Sequence, residues 1–258
     1  MRLGVWQTEG ISGDPAANVA RLAVMLTQAK AQGVHLLVTP ELWTTGYNAP
    51  AAIRAFAEPA DGPGFTAIAA LARQFGIAIA WGYPERSGDI LYNSAQVVGA
   101  DGARRYHYRK LHLWSDYERG LFVPGQLPAA PFDLDGWRVA MAICYDTEFP
   151  ELIRRYALAG AELVLAPTAL AAGEAVIPDL VVPVRALENG LYIAFCNRCG
   201  VEDTLVYQGG SCIVGPAGMK LASAATADAL IVATIEKAAI AAARQRAPYL
   251  DDRRTDLG

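Results

Sequence analysis

An α/β fold is what this sequence predicts, and three observations predict it. Short apolar runs bounded by Gly or Pro alternate with stretches whose apolar residues recur at helical spacing. The order strand, helix, strand occurs at the start of the chain and again at its middle. Two segments also match: residues 33–40 read G-V-H-L-L-V-T-P and residues 160–167 read G-A-E-L-V-L-A-P, so glycine, leucine and proline fall in equivalent places. That likeness points to an internal duplication whose period is far too long for a solenoid. The expectation is one domain over residues 1–258, built from two pseudo-symmetric halves, with a C-terminal tail from about residue 245.

The run RLGVWQ reads as the first strand. A helix follows, with Val19, Leu22, Ala23 and Leu26 on one face. Asp14 is placed to cap its first turn, Pro15 suits its first position, and Gly33 supplies the left-handed conformation that ends it. HLLVT is a buried strand. Residues 63–75 carry a second helical pattern, and IAIAWGYPE and ILYNSAQVV read as consecutive strands. In the second half WRVAMAIC is a strand, a helix is expected from near Thr147 through EFPELIRRYALAG, and ELVLA is again a strand. GLYIAFCN, GGSCIVG and ALIVATI complete the set. Apolar strands alternating with helices call for sheets whose outer faces are covered by helices.

At 258 residues and 53% hydrophobic, the chain can bury a large core, which argues against disorder. A net charge of -4 with 22 scattered Lys and Arg offers no basic field for phosphates, so no nucleic acid and no anionic membrane surface is expected as a partner. Polar or breaking residues interrupt every apolar run short of the roughly 18 to 20 residues that span a bilayer. The opening MRLGVWQTEG lacks the apolar stretch of a secretory signal, and four cysteines are too sparse for a disulfide scaffold. A cytoplasmic location with reduced thiols is therefore expected.

Chemistry is sought where strands end. Cys144 closes an apolar run just ahead of the expected helix, whose first-turn N–H groups would stabilise a thiolate and a neighbouring oxyanion. The competing reading is a small core residue, the commoner fate of a free cysteine. Glu41 follows another buried strand in VTPELWTTGY, among Leu42, Trp43 and Tyr47. Such surroundings raise a carboxylate's pKa and suit it to proton transfer, while a solvated loop glutamate is the plain alternative. Lys110 sits in RYHYRKLHLW among aromatic and apolar neighbours, where an inward ammonium would hold an oxyanion; an amphipathic strand with its cations in water competes with that reading.

Taken together, the three strings resemble the nitrilase superfamily of carbon-nitrogen hydrolases. Glu41 stands in P-E-x-x-x-x-G-Y, Lys110 in Y-R-K-x-H-L and Cys144 in I-C-Y-D-x-x-F-P-E, which match the family's Glu-Lys-Cys triad in chain order. Glu118, in D-Y-E-x-x-x-F-x-P-G, is similar to the family's second glutamate. YPER, YNSA, RALEN, GGSCIVGPAG and PYLDDRR look like further landmarks. The resemblance implies a four-layer α-β-β-α sandwich, paired into homodimers or larger assemblies, that hydrolyses a small amide with no metal or organic cofactor. It implies Cys144 as nucleophile, Glu41 as proton shuttle, Lys110 with the Tyr145 N–H at the oxyanion, and Glu118 as an aid to substrate and water. Tyr47, Trp114, Thr168 and Ala169 lie beside family active-site positions and are expected at the substrate, with Glu118 or Asp146 placed to attract an amino group on it. The tripeptide Cys-Tyr-Asp, where true nitrilases usually show Cys-Trp-Glu, favours amides over nitriles and resembles the branch acting on aliphatic and ω-amino amides. N-carbamoyl amide or nitrile hydrolysis is the alternative within the family.

Other motifs carry less. Cys196 and Cys199 have C-x-x-C spacing, which would suit a redox or metal-binding protein, but no second pair accompanies them and only three histidines exist. Residues 62–67 fit a dinucleotide fingerprint nominally, yet they follow AEPAD rather than a strand. Residues 209–213 miss the hydrolase elbow because the fifth is Ile213. His107 and His112 flank the lysine motif and read as structural or pocket-lining. A binding module without turnover would fit a broken triad, whereas all three members are present here.

Overall fold

The computed structural model describes residues 1–127 and 130–256. Its first half runs β1 (Arg2–Gln7), α1 (Pro15–Ala31), β2 (Leu36–Val38), α2 (Pro50–Phe56), α3 (Pro63–Phe75), β3 (Ala78–Ser87), β4 (Ile90–Val98), β5 (Arg104–Arg109) and α4 (Ser115–Arg119). The second runs β6 (Phe132–Leu134), β7 (Trp137–Met141), α5 (Pro150–Leu158), β8 (Leu163–Pro167), α6 (Val182–Asn189) and β9 (Tyr192–Cys196). It continues through β10 (Val201–Glu202), β11 (Leu205–Val206), β12 (Cys212–Val214) and β13 (Lys220–Ser223) to β14 (Ala229–Thr234), α7 (Lys237–Arg246) and α8 (Tyr249–Asp252). Within the expected tail, residues 257–258 lie outside the described residues.

Two six-stranded sheets follow one plan. Their orders are β14-β1-β2-β3-β4-β5 and β6-β7-β8-β9-β12-β13. In each, three central strands are parallel (β1, β2, β3 and β7, β8, β9) and the flanking strands antiparallel. The duplication read from residues 33–40 and 160–167 is therefore a duplication of strand order. Gly33 and Gly160 both take positive φ, 68° and 87°, a conformation glycine adopts without a Cβ clash.

Period-two burial sets the layers. Leu36 and Val38 join Leu3, Val5, Ala78 and Ala80 in the core shared with the second sheet, while Leu37 turns the other way, toward Leu22, Leu26 and Ile68 under α1 and α3. Leu152, Ile153 and Tyr156 of α5 and Val182 and Ala186 of α6 cover the second sheet. The result is the helix, sheet, sheet, helix layering that the resemblance implied. α1 begins as expected: Pro15 is its first residue and the Asp14 carboxylate accepts from the Ala17 N–H at 2.9 Å. Among the described residues no helix is long and apolar enough to cross a membrane.

One expectation is corrected. The helix expected from near Thr147 starts only at Pro150, after a separate 3-10 turn over Cys144–Glu148. Phe149 between them is extended, with φ -89° and ψ 105°. The reason is steric, since a proline disfavours the α conformation in the residue before it. Cys144 therefore does not sit at the N-terminus of an α-helix.

Candidate active site

The site collects where β2, β5, β7 and β8 end. Glu41 lies three residues beyond the last residue of β2, and the chain turns sharply there, with Leu42 at φ 45°. The turn crosses β3 at Gly82 so closely that a Cβ there would stand 2.7 Å from the Pro40 oxygen and 2.8 Å from the Glu41 Cα. The Glu41 carboxylate is fully buried. Its Oε1 accepts from Lys110 Nζ and from Asn93 Nδ2, each at 2.7 Å, whereas Oε2 has no partner among the described residues. Burial raises the Glu41 pKa, and the Glu118 charge adds to this, against opposition from Lys110 and Asn93.

Lys110 leaves the end of β5, its N–H bonded to the Asn93 carbonyl and its own carbonyl accepting from Gly125, each at 2.8 Å. Its ammonium bridges two buried carboxylates, Glu41 at 2.7 Å and Glu118 Oε1 at 2.6 Å. Burial alone would depress the lysine, but Glu41 and Glu118 together hold it above its ordinary value, so it stays charged. Glu118 comes from α4, which begins at Ser115 with φ 56°. Tyr47 Oη donates to Glu118 Oε1 and the Trp114 N–H to Oε2, both at 2.9 Å. Removing either carboxylate would leave a buried charge short of compensation.

Cys144 itself has φ 47°, a region that β-carbon sterics make rare outside glycine. Leu42, Ser115 and Cys144 are three of five such residues in the described chain, and all three border the site. Such strain persists only where surrounding structure imposes it. Here the 3-10 turn is held by Asp146 N–H to the Ile143 carbonyl at 3.0 Å and by Thr147 Oγ1 to the Cys144 carbonyl at 2.7 Å. Burial, and then the Glu41 charge, push the thiol well above its ordinary value, while Lys110 and a backbone hydrogen bond from Ala169 pull the other way.

A cavity of about 190 Å³ opens onto Cys144 and is lined by Tyr47, Trp114, Tyr145, Glu148, Ala169, Leu170, Ala171, Glu174 and Leu205. It brings together five of the expected residues: Cys144, Tyr47, Trp114, Tyr145 and Ala169. Glu41, Lys110 and Glu118 form the fully buried cluster whose charges act on the Cys144 thiol. Two expectations are corrected. Asp146 does not line the cavity; its carboxylate accepts from Tyr108 Oη at 2.8 Å, the His112 N–H at 2.9 Å and the Ile143 N–H at 3.0 Å, and it pairs with His112 Nδ1 at 2.7 Å. Thr168 is fully buried and folds its hydroxyl onto the Ala166 carbonyl at 3.0 Å. Glu118, the other residue expected to attract an amino group, is already bonded on both oxygens.

Sequence reasoning missed Asn93, Gly82, Glu148 and Glu174. Asn93 was within reach, because YNSA sits on the strand beside the lysine strand with Asn93 next to its end. Glu148 shares the 3-10 turn with Cys144, a proximity hidden by expecting a helix there. Glu174 and Leu205 carried no local signal. Cys196 lies away from the site, donating its thiol to the Trp6 and Val38 carbonyls at 3.3 Å each, and His107 bonds Glu85 at 2.7 Å.

Residues 2–245 match the carbon-nitrogen hydrolase family. The chain is 41% identical over 259 residues to the "hydrolase in pqqF 5′ region" of Pseudomonas protegens, covering 100% of this chain and 90% of that protein. It is 33% identical over 258 residues to an (R)-stereoselective amidase of Pseudomonas sp., covering 100% and 93%. Among solved structures it is similar, at a TM-score of 0.90 and 35% identity over 100% of this chain and 98% of the other, to a mutant of the amidase from Nesterenkonia sp. AN1. That structure shows the result of Michael addition of acrylamide at the active site cysteine.

Proposed function

We propose, from the premise that this chain belongs to the carbon-nitrogen hydrolase family, that residues 1–258 act as one amidase domain turning a small aliphatic or ω-amino amide into a carboxylic acid and ammonia. The observation that carries the roles is the buried trio: one ammonium between two carboxylates, with Glu41 Oε2 left without a partner among the described residues and the charges of Glu41 and Lys110 both acting on the Cys144 thiol. Glu41 takes the Cys144 proton as Sγ attacks the amide carbon. Lys110 and the Tyr145 N–H hold the oxyanion of the tetrahedral intermediate. Its collapse breaks the carbon-nitrogen bond, and the proton on Glu41 goes to the departing nitrogen, leaving a thioester. Water then adds to the thioester as Glu41 removes its proton, and collapse returns that proton to Sγ as the acid leaves. Glu118 fixes Lys110 and, through Tyr47, one wall of the cavity throughout.

Intact-mass measurement with a slowly hydrolysed amide tests the scheme: an acyl adduct is expected on Cys144 and none on Cys144→Ala, which should be inactive. An adduct on another residue, or no adduct during turnover, would overturn it. Ammonia release across matched amide, nitrile and N-carbamoyl compounds assigns the bond cleaved, with the amide expected to lead. The same reading includes a cytoplasmic enzyme that pairs into homodimers or larger assemblies. The exposed apolar side chains Leu158, Leu180 and Val184 beside α5 and α6 support the pairing, and sedimentation velocity checks it.

A further inference from the structure

β10 and β11 form a short hairpin, Val201 pairing with Val206 and Glu202 with Leu205, closed by Asp203 and Thr204 with Asp203 at φ 54°. The proposed mechanism gives it no role, yet the walls of the cavity above Cys144 meet on it. Leu205 lines the cavity directly. The segment that supplies Ala169, Leu170 and Ala171 is pinned to β11 and the residues after it, the Ala172 N–H donating to the Val206 carbonyl at 2.8 Å and the Gln208 N–H to the Leu170 carbonyl at 2.9 Å. The Tyr47 loop is pinned to β10 by a carboxylate. Glu202 Oε2 accepts from the Tyr47 N–H at 3.0 Å and the Asn48 N–H at 2.6 Å, and also from Tyr207 Oη. The chain is shaped for that approach: Gly46 has φ 96°, and a Cβ there would collide with Glu202 Oε1.

Burying Glu202 costs solvation. It is 6% exposed, and the cation that compensates it, Arg198, is 1% exposed, with Nη2 3.4 Å from Glu202 Oε1 and also donating to the Glu9 carbonyl. The guanidinium lies over the Tyr207 ring at 5.2 Å, while Nε and Nη1 have no partner among the described residues. An ion pair so buried and incompletely bonded contributes little net stability over apolar residues of equal volume, so its use lies in the geometry that it fixes. That geometry is the placement of Tyr47. Its N–H goes to Glu202, its carbonyl accepts from Tyr117 Oη at 2.6 Å and its own Oη goes to Glu118, which leaves its ring one position against the cavity. Resting on the amidase reading, we propose that Glu202 is a positioning residue: it locks the Tyr47 loop to the hairpin that carries Leu205, and the locked hairpin sets how long an acyl chain fits above Cys144. At about 190 Å³, and roughly 30 Å³ per water-sized group, the cavity holds only a short chain between these walls.

Straight-chain amides from acetamide to heptanamide, compared through kcat/KM, test the inference. Leu205→Ala shortens a half-buried side chain, so folding is not at stake, and should raise the hexanamide-to-acetamide ratio about tenfold. Glu202→Asp keeps a charge for Arg198 but draws it back by one carbon from the Tyr47 and Asn48 N–H groups. It should raise the same ratio about tenfold, the worth of one charged hydrogen bond, with the loss on acetamide appearing in KM more than in kcat. A ratio that stays put in either variant, or a loss in Glu202→Asp that is equal at every chain length and follows a lowered Tm, would overturn the positioning role and leave the amidase reading standing. Failure of the parent enzyme to release ammonia from any of these amides, with Cys144 still labelled by iodoacetamide, would overturn both.

Discussion

The two halves repeat one strand order but use their strand ends differently. β2 leads to Pro40 and Glu41, and β8 leads to the equivalent Pro167 and Thr168. Glu41 directs a carboxylate into the buried cluster, whereas Thr168 folds its hydroxyl back on its own chain. The registers carry the equivalence sideways: Gly82 of β3 corresponds to Cys196 of β9, and Asn93 of β4 to Gly209 ahead of β12. The first half thus has no side chain where the Glu41 turn must cross the strand, and an amide where its carboxylate must be held. The second half has a thiol that ties the sheets together at the Trp6 and Val38 carbonyls. Cys144 reverses the pattern, since it follows β7 and corresponds to Thr8 after β1, whose hydroxyl bonds Asp228 at 2.7 Å. A duplicated scaffold offers strand ends in pairs, and a buried charge survives at one of each pair only where neighbours compensate it.

The largest break in that asymmetry is to give the first half the residue of the second. Glu41→Thr removes the proposed base and should lower kcat by roughly 10⁴-fold, the upper end of general-base contributions. It also leaves buried Lys110 with one carboxylate, at a stability cost of about 3–5 kcal/mol in urea unfolding. Glu41→Gln separates the two, keeping shape while losing the base. Next comes Gly82→Ala, which must displace the Pro40–Glu41 backbone and should lower kcat/KM about 100-fold, the cost of a misplacement near 1 Å. Its counterpart Cys196→Ala should cost about 1–2 kcal/mol of stability and little activity. Equal losses of activity at both positions would remove the functional difference between the halves.

Smaller effects sharpen the comparison. Because burial raises the Glu41 pKa, the acid limb of kcat/KM should lie above 4.5, and Asn93→Ala, which deletes a bond that lowers it, should move the limb to still higher pH. The smallest concerns acid stability at the β3-β4-β5 edge. Burial would raise the Glu85 pKa, but His107, Arg109 and Ser94 hold the ionised carboxylate and depress it to about 2. The folded value lies below the ordinary 4.5, so this stabilisation is present above pH 4.5 and is lost as pH falls from there toward 2. Glu85→Gln should flatten that part of a plot of urea midpoint against pH.

Much of this was legible in the chain. The halves, the α1 cap and the identities of Glu41, Lys110, Glu118 and Cys144 depend on residue type within a few positions, because apolar period, glycine and proline geometry and a nucleophile's immediate context are local properties. Asp146 and Thr168 were misplaced for the opposite reason: which way a short polar side chain turns depends on partners far along the chain, here His112 and Tyr108 for Asp146.

By itself the sequence determined the alternation of elements, their duplication and the singling out of Glu41, Lys110, Glu118 and Cys144, which the structure gathers in one place. Only the tertiary structure decided that Lys110 would bridge two carboxylates, that Cys144 would sit on a strained 3-10 turn instead of a helix end, and that Glu148 and Glu174 would face one cavity. Those outcomes depend on where loops far apart in the chain meet, and electrostatic energy depends on distance through space, which spacing along the chain does not encode.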